Sequence, residues 1–147
     1  MKVIMVVAIA CDHAGFDVKE KLKKHLSEKL LLEVTDLGTY SLDSVDYPNF
    51  GHKVGVEVSN GSADKGIVIC GSGIGISIAA NKVKGIRAAL CTSVEHAELS
   101  RKHNDANVLA LGARLTSLET IYKITDTWLD TSFEQGRHLD RIKLIEL

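Results

Sequence analysis

A cysteine followed by three alternating glycines is the first feature of this sequence that could do chemistry. Residues 68–82 read VICGSGIGISIAANK, with Cys70 at the end of an apolar run and Gly71, Gly73 and Gly75 directly after it. Glycines between a strand and a helix let a ligand approach backbone amides at the positive end of the helix dipole, which suits a phosphate or a developing oxyanion. The same dipole favours a thiolate, so Cys70 is a candidate base or nucleophile.

Two other interpretations of this stretch compete with a reactive thiol. A dinucleotide-binding turn requires G-x-G-x-x-G, but position 76 is Ile, and the next apolar run ends in Cys91 and Thr92 instead of an acid that could bind ribose hydroxyls. Binding of NAD is therefore disfavoured. A tight turn without a ligand stays open, with Cys70 as a small core residue, because free cysteine is among the most buried residue types.

Polar residues elsewhere could act as acids, bases or anion ligands. The segment CDHAG places Asp12 and His13 after another apolar run, and SRKHNDAN places His103 in a polar loop, so either imidazole could transfer protons near neutral pH. In GRHLDR, Arg137 and Arg141 share one helix face, as a phosphate clamp or as a solvated basic surface. Without a His pair at helical spacing or a C-x-x-C pair, we predict no metal site.

The elements that must position these residues alternate along the chain. Apolar runs predict five strands, at residues 3–10, 32–38, 66–70, 85–91 and 107–112. Helices are predicted at 13–30, 50–60 and 73–84, from 92 onwards, from 116 onwards, and at 137–145. Because parallel strands need crossover connections, this order predicts an α/β fold: a three-layer α/β/α sandwich with a Rossmann-like five-stranded parallel sheet.

This layout leads to three more specific predictions, about one helix, two helix starts and the position of the ligand site. Residues 50–60 also alternate like a strand, and we assign them to a helix because a crossover is needed there. The motifs TSVE at 92–95 and TSLE at 116–119 fit the capping box, in which a hydroxyl caps one amide and the Glu returns to another. Ligands of such sheets bind beyond the carboxyl ends of the strands, so Asp12, His13, Cys70 and Thr92 should lie at one edge.

Composition limits the class of protein. The chain has 147 residues and we treat residues 1–147 as a single domain; its net charge of -1 gives no reason to expect a nucleic-acid or membrane partner. The N-terminal run VIMVVAIA is too short to span a bilayer and predicts a strand, so we expect a cytoplasmic protein. Its three distant cysteines predict free thiols.

The motifs CDHAG, DYP, CGSGIGISIAANK, GIRAAL, SRKHNDANVLALG and GRHLDR, in this order and spacing, resemble the ribose-5-phosphate isomerase B family, close kin of the galactose-6-phosphate isomerase subunits. The resemblance covers essentially the whole chain. It implies a cofactor-free aldose–ketose isomerase of the non-oxidative pentose phosphate pathway, which interconverts D-ribose 5-phosphate and D-ribulose 5-phosphate through a cis-enediolate. It also implies a site built between two subunits, in a homodimer or a dimer of dimers.

The resemblance further implies a role for individual residues. Cys70 would take the proton from C2, Ser72 would help move protons between the two sugar oxygens, and His103 would open the furanose ring with Asp12 near the ring oxygens. The implied substrate-binding residues are the enediolate-binding turn of Gly71, Gly73, Ile74 and Gly75, the phosphate ligands His13, Arg114, Arg137 and Arg141, and the site-lining Tyr47, Asn104 and His138.

Two positions refine this resemblance, and three alternatives remain beside it. Ile76 stands where a second branch of the family carries a carboxylate, which assigns the chain to the branch that uses Cys; Gln135, where many relatives have Gly, affects only the local turn. The first alternative is an isomerase of a six-carbon sugar phosphate, such as galactose 6-phosphate or allose 6-phosphate. The others are a non-catalytic phosphosugar-binding module and a Cys-His hydrolase.

Overall fold

The computed structural model describes residues 4–147 and centres on one parallel sheet. Its strands are β1 (Val6–Cys11), β2 (Glu33–Asp36), β3 (Lys65–Cys70), β4 (Ala88–Leu90) and β5 (Val108–Gly112). They lie in the order β2-β1-β3-β5-β4, and every neighbouring pair is parallel. The predicted five-stranded parallel sheet is confirmed; the first residue of the first predicted strand, Val3, lies outside the described residues.

Helices cover the crossovers between the strands. They are α1 (Phe16–Lys24), α2 (Tyr47–Ser59), α3 (Ile74–Asn81), α4 (Val94–Asn104), α5 (Leu118–Asp130) and α6 (Arg137–Lys143). A 3-10 turn at His13–Gly15 precedes α1 and a π-helical turn at His25–Lys29 follows it. The segment predicted as one helix at 13–30 therefore consists of three successive helical types. Within residues 4–147, no helix has both the length and the apolar character needed to cross a bilayer.

The ambiguous segment at 50–60 is helical, as the need for a crossover predicted. Helix α2 begins earlier than expected, at Tyr47, and Pro48 lies in its first turn. Proline is tolerated there because the first amides of a helix have no intrahelical acceptor. The polar stretch before α2 therefore ends at Asp46, the N-cap of the helix.

The capping-box prediction was wrong by one residue in both motifs. The helix caps are Ser93 and Ser117, the second residue of each motif, and Ser93 Oγ accepts a hydrogen bond from the His96 amide at 3.1 Å. Thr92 and Thr116 lie outside the helices. The Glu of each motif is consequently the second residue of its helix, one position short of the reciprocal bond that a capping box requires.

Side chains of the central strands alternate between two apolar layers. Ile69 and the residues of neighbouring strands that face the same way pack with α1, α4 and α5 on one face, in a cluster that includes the buried Trp128. Cys70 points to the other face, where it packs with Val54 of α2 and Ile76 of α3. The period of two along β3 is thus the reason that the thiol lies on the side of the sheet where α3 begins.

A buried ion pair connects α1 to the end of β2. The side chain of Lys19 is fully buried, and its Nζ lies 2.7 Å from both carboxylate oxygens of Asp36. Asp36 also accepts hydrogen bonds from Lys23 Nζ at 2.7 Å and from the Gly38 amide at 2.9 Å. Burial alone would raise the pKa of Asp36, but these hydrogen bonds outweigh it and hold the pKa below its usual value.

The edge strand β4 is short, and one side chain occupies its free edge. Asn81, at the end of α3, donates from Nδ2 to the carbonyl of Ala88 at 3.0 Å and accepts at Oδ1 from the amide of Ala88 at 2.7 Å. The amide side chain therefore replaces the neighbouring strand that Ala88 lacks on this side.

We predict that Lys19→Met lowers the free energy of unfolding at neutral pH by about 1.5–3 kcal/mol, the range for hydrogen bonds to charged groups, because it removes one of the two cations that bind the Asp36 carboxylate and leaves Lys23 alone beside it. Urea unfolding followed by circular dichroism measures the change. Lys21→Met, at an exposed position of the same helix, is the matched control and should change stability by less than about 0.5 kcal/mol.

The difference between wild type and Lys19→Met should also depend on pH. The folded-state pKa of Asp36 is depressed, so its stabilising contribution is present above the unfolded pKa of about 3.9 and is lost as the pH falls through the folded pKa. A difference that stays constant through this acidic range would show that the ion pair is not its cause.

Candidate active site

A cleft of about 640 Å³ opens beyond the carboxyl ends of β1 and β3, a volume typical of small-molecule sites. It is lined by Asp12, Tyr47, Cys70, Gly71, Ser72, Ile74, Gly75, Ile78, Arg114 and Leu115. Eight residues proposed from the sequence are therefore brought together here. His13 and Thr92, expected at the same edge, follow β1 and β4 but do not line the cleft.

Cys70 lies at the floor of this cleft, where β3 turns into α3. Its Sγ accepts a hydrogen bond from the Gly73 amide at 3.1 Å, and Ser72 Oγ accepts one from the Ile74 amide at 3.1 Å. Gly73 has a φ of 78°, and a Cβ at this position would lie 2.8 Å from the carbonyl carbon of Leu111. The turn thus requires glycine for both its backbone conformation and its packing.

The other two glycines make room for side chains above the turn. A Cβ on Gly75 would lie 2.5 Å from ring atoms of Tyr47, and a Cβ on Gly71 would lie 3.2 Å from a guanidinium nitrogen of Arg114. The phenol and the guanidinium consequently lie close over the backbone next to Cys70. A positive charge and the amino end of α3 face the same space, so the cleft favours an anion.

The three thiols have different surroundings. Burial raises the pKa of Cys11 to about 12 and that of Cys91 to about 11, and both side chains are sealed in the core. Cys70 is also mostly buried, but it lines the cleft. All three are free, as the sequence predicted, and Cys70 is the one with access to a ligand.

Asp12 has one oxygen engaged by the backbone. Its Oδ1 accepts hydrogen bonds from the amides of Ala14 at 3.0 Å and Gly15 at 3.2 Å, so Asp12 caps the 3-10 turn that precedes α1. Its own amide donates to the carbonyl of Ile69 at 3.1 Å, which ties it to β3. A carboxylate fixed in this way keeps a constant position at the cleft wall.

His13 is held by the loop that follows β2. Its Nδ1 accepts a hydrogen bond from the Val45 amide at 3.1 Å. The neutral ring must then carry its proton on Nε2, which leaves Nε2 as a donor. His13 therefore offers a hydrogen bond to an anion near the cleft without lining the cleft itself.

The remaining predicted residues form a second group, at the end of α4 and on α6. These are His103, Asn104, Arg137, His138 and Arg141, and none of them lines the cleft that contains Cys70. The rings of His103 and His138 stack, with centroids 4.4 Å apart and planes 17° apart. Desolvation, aided by the charges of His103 and Arg137, lowers the pKa of His138.

Sequence reasoning missed two residues of the cleft and one neighbour of the second group. Ile78 and Leu115 give the cleft an exposed apolar rim together with Ile74. The spacing of Ile74 and Ile78, one helical turn apart, is a signal that could have revealed this rim. Glu134, whose Oε1 lies 3.6 Å from His103 Nε2, has no comparable signal because it is 31 positions away in the sequence.

Known proteins are similar to this chain in both sequence and fold. A family model described as Ribose/Galactose Isomerase matches residues 7–145. The protein named Ribose-5-phosphate isomerase B from Escherichia coli is 48% identical over 139 residues, which cover 95% of this chain and 93% of that protein. Galactose-6-phosphate isomerase subunit LacB from Clostridium acetobutylicum is 42% identical and is matched over 94% of this chain and 79% of its own length.

Solved structures agree along nearly the whole chain. Ribose-5-phosphate isomerase B from Clostridium thermocellum superimposes with a TM-score of 0.94 at 52% identity, over 96% of this chain and 95% of that one. The structure of ribose-5-phosphate isomerase B from Mycoplasma genitalium with bound ribulose-5-phosphate gives a TM-score of 0.93 at 42% identity, over 98% of this chain and 95% of that one.

We predict that iodoacetamide labels Cys70 first when the folded protein is treated at mildly alkaline pH. The thiolate is the reactive form, and the pKa values of about 12 and about 11 keep Cys11 and Cys91 protonated as well as enclosed. Intact mass and peptide mapping should show one modification, which Cys70→Ala removes and Cys91→Ala leaves. Labelling of Cys11 or Cys91 at a similar rate would contradict this assignment.

Proposed function

This chain belongs to the Ribose/Galactose Isomerase family, and on that premise we propose that it interconverts D-ribose 5-phosphate and D-ribulose 5-phosphate. It is an isomerase, as are the relatives that match it over nearly their full length. The pentose phosphate is supported by the 48% identity to the E. coli protein named ribose-5-phosphate isomerase B. The observation that carries the proposal is Cys70, which accepts an amide hydrogen bond at the floor of an anion-favouring cleft.

The first proposed step is removal of the C2 proton of the open-chain sugar by the Cys70 thiolate. The Gly73 amide, 3.1 Å from Sγ, stabilises the negative charge on sulfur before the proton is transferred. The charge then develops on the sugar oxygens. We assign the turn from Gly71 to Gly75 to that enediolate. Its Gly73 and Ile74 amides already donate to Cys70 Sγ and Ser72 Oγ, so the Gly75 amide, which has no intrahelical acceptor at the start of α3, is the donor that we expect to bind first.

Ser72 is assigned the transfer of a proton between the two sugar oxygens. Its Oγ already accepts the Ile74 amide at 3.1 Å, which fixes the oxygen beside the turn. The hydroxyl proton is therefore the part that can be donated. Return of a proton from Cys70 to C1 completes the conversion, and no redox partner is needed because the sugar is oxidised at C2 and reduced at C1.

Ring opening and phosphate binding are assigned to the group at α4 and α6. His103 acts as the acid or base that opens the furanose, and Arg137 and Arg141 bind the phosphate with His13 and Arg114. Asn104 and His138 complete the lining. Since this group and Cys70 do not share a cleft within one chain, we propose that each site combines the Cys70 cleft of one copy with the His103 group of another.

Association of two copies is supported by the apolar rim of the cleft. Ile74, Ile78 and Leu115 are more than half exposed, and a second copy seated there would cover them. We propose a homodimer, alone or as half of a dimer of dimers. Free thiols at all three cysteines support a reducing compartment, and we place the protein in the cytoplasm.

A six-carbon sugar phosphate is the second candidate substrate. The relative named as a galactose-6-phosphate isomerase subunit is 42% identical and supports the same chemistry on a longer sugar. One additional carbon changes the distance between the phosphate and the C2 proton, so the spacing between the arginines and Cys70 decides between the two substrates.

We predict that Cys70→Ala lowers kcat by about 10²- to 10⁴-fold, the range expected when a general base is lost, with little change in KM. Conversion of ribose 5-phosphate to ribulose 5-phosphate by purified protein measures the loss, and Cys91→Ala is the control that should keep its activity. Wild type should have a higher kcat/KM for ribose 5-phosphate than for galactose 6-phosphate or allose 6-phosphate. Normal activity in Cys70→Ala would refute the assigned base, and the reverse substrate order would favour the second candidate.

We predict that Cys70→Ala and His103→Ala complement each other in mixed dimers. Neither variant should turn over alone, but random mixing should restore about a quarter of the wild-type sites, since half of the dimers are mixed and each has one intact site. Co-expression with two affinity tags isolates the mixed species. Mixed dimers as inactive as the parents, while each variant still binds sugar phosphate, would refute the shared site.

A further inference from the structure

Three potential metal ligands meet outside the cleft, although the sequence patterns considered above predicted no metal site. They are His103 at the end of α4, Glu134 in the segment between α5 and α6, and His138 in the first turn of α6. One imidazole nitrogen from each histidine and one carboxylate oxygen all lie within 4.8 Å of one another. We call these three residues the His-Glu-His cluster.

The spacing within the His-Glu-His cluster suits a tetrahedral ion. His103 Nε2 lies 3.6 Å from Glu134 Oε1. Two ligands of a tetrahedral zinc ion with bonds of about 2.0–2.1 Å are separated by about 3.4 Å, so this pair is already close to the required distance. The side chains of His103 and Glu134 are 42% and 50% exposed, which leaves them room for the rotation that brings His138 Nε2 or Nδ1 into place.

The backbone holds the three ligands on one side. The Glu134 amide donates to the carbonyl of Lys102 at 3.1 Å, which fastens the segment before α6 to the end of α4. Gln135 and Gly136 then both have positive φ, of 66° and 60°, and reverse the chain so that α6 starts beside His103. The turn therefore forms although Gln135 carries a side chain at a positive φ, and it places Glu134 and His138 next to the same imidazole.

The donor set selects the class of ion. Two imidazoles and one carboxylate with an open fourth position are the donors of zinc sites that keep a water or another ligand. Calcium and magnesium prefer sites built of oxygen. The positive charges of Arg137 and Arg141 on α6 repel a cation. Coordination by the imidazoles is therefore the main source of affinity for the ion.

We propose that His103, Glu134 and His138 form a binding site for a divalent transition ion of the Zn²⁺ class, and that occupancy reversibly inhibits the isomerase. Coordination of His103 removes its lone pair from acid–base chemistry and so blocks ring opening. The inhibitory consequence rests on the role proposed above for His103, whereas the binding site does not.

Metal binding is tested first, on the full chain in a buffer without chelators. Calorimetry with Zn²⁺, and the visible spectrum of Co²⁺ as a substitute, should give one ion per chain in a tetrahedral environment. Loss of an outer hydrogen-bond partner of a metal site weakens metal binding by about 10- to 100-fold. Because Glu134 and His138 would bind the ion directly, Glu134→Gln and His138→Gln should each raise the Kd for Zn²⁺ by more than this. His52→Gln, which removes an exposed imidazole from α2, is the matched control and should bind as wild type does.

Three results would overturn the site: no binding of either ion, binding by Glu134→Gln and His138→Gln as tight as that of wild type, or loss of binding in Cys70→Ala. The last would identify the thiol in the cleft as the ligand. Circular dichroism of each variant checks that it is folded, so that a loss of affinity reports on the ligand and not on unfolding.

Inhibition is tested second. Zn²⁺ should inhibit wild type and a chelator should restore the rate, while Glu134→Gln, active without metal, should need at least about tenfold more Zn²⁺ for half inhibition. Binding without inhibition, or equal inhibition of Glu134→Gln and wild type, would refute the inhibitory role. Absence of isomerase activity from metal-free wild type would instead refute the proposed function, and the binding measurements would still decide the metal site.

Discussion

The hydrogen bond from the Gly73 amide to the Cys70 sulfur is the constraint on which the cleft depends. It exists because the chain leaves β3 in a left-handed conformation and passes against the carbonyl of Leu111 in β5. One turn therefore fixes the sulfur at the sheet edge, starts α3 and aligns its amides with the cleft. Tyr47 and Arg114 can approach this turn only because Gly75 and Gly71 carry no side chain.

A second set of contacts orders the start of the loop that holds His13. Asp36 is fixed by Lys19 and accepts the Gly38 amide, and the carbonyl of Gly38 in turn accepts the Cys11 amide at 2.7 Å. The buried ion pair thus orders the beginning of the loop that later supplies the Val45 amide to His13. Charges in the core of this protein act on the site through backbone geometry, at a distance from the cleft.

Much of the fold and of the cleft could be predicted because the signals are local. Apolar runs gave the strands, and the rule that ligands bind beyond the carboxyl ends of parallel strands brought Asp12 and Cys70 together. Lys19 had no such signal: in a lysine-rich helix it resembles a solvated residue, and its burial is explained by groups from other parts of the chain, Asp36 above all. Sequence order could not place Glu134 beside His103 either, since tertiary packing alone makes them neighbours.

Asn81 affects how copies of this chain can meet. A sheet with a bare edge strand offers a template on which another chain can extend the ladder, which is a common route to continuous sheets across subunits and to fibrillar aggregation. An incoming strand at Ala88 would first have to displace both bonds of the Asn81 amide. This obstacle disfavours growth of the sheet through β4, so copies of the chain are more readily expected to recognise one another elsewhere than at this edge.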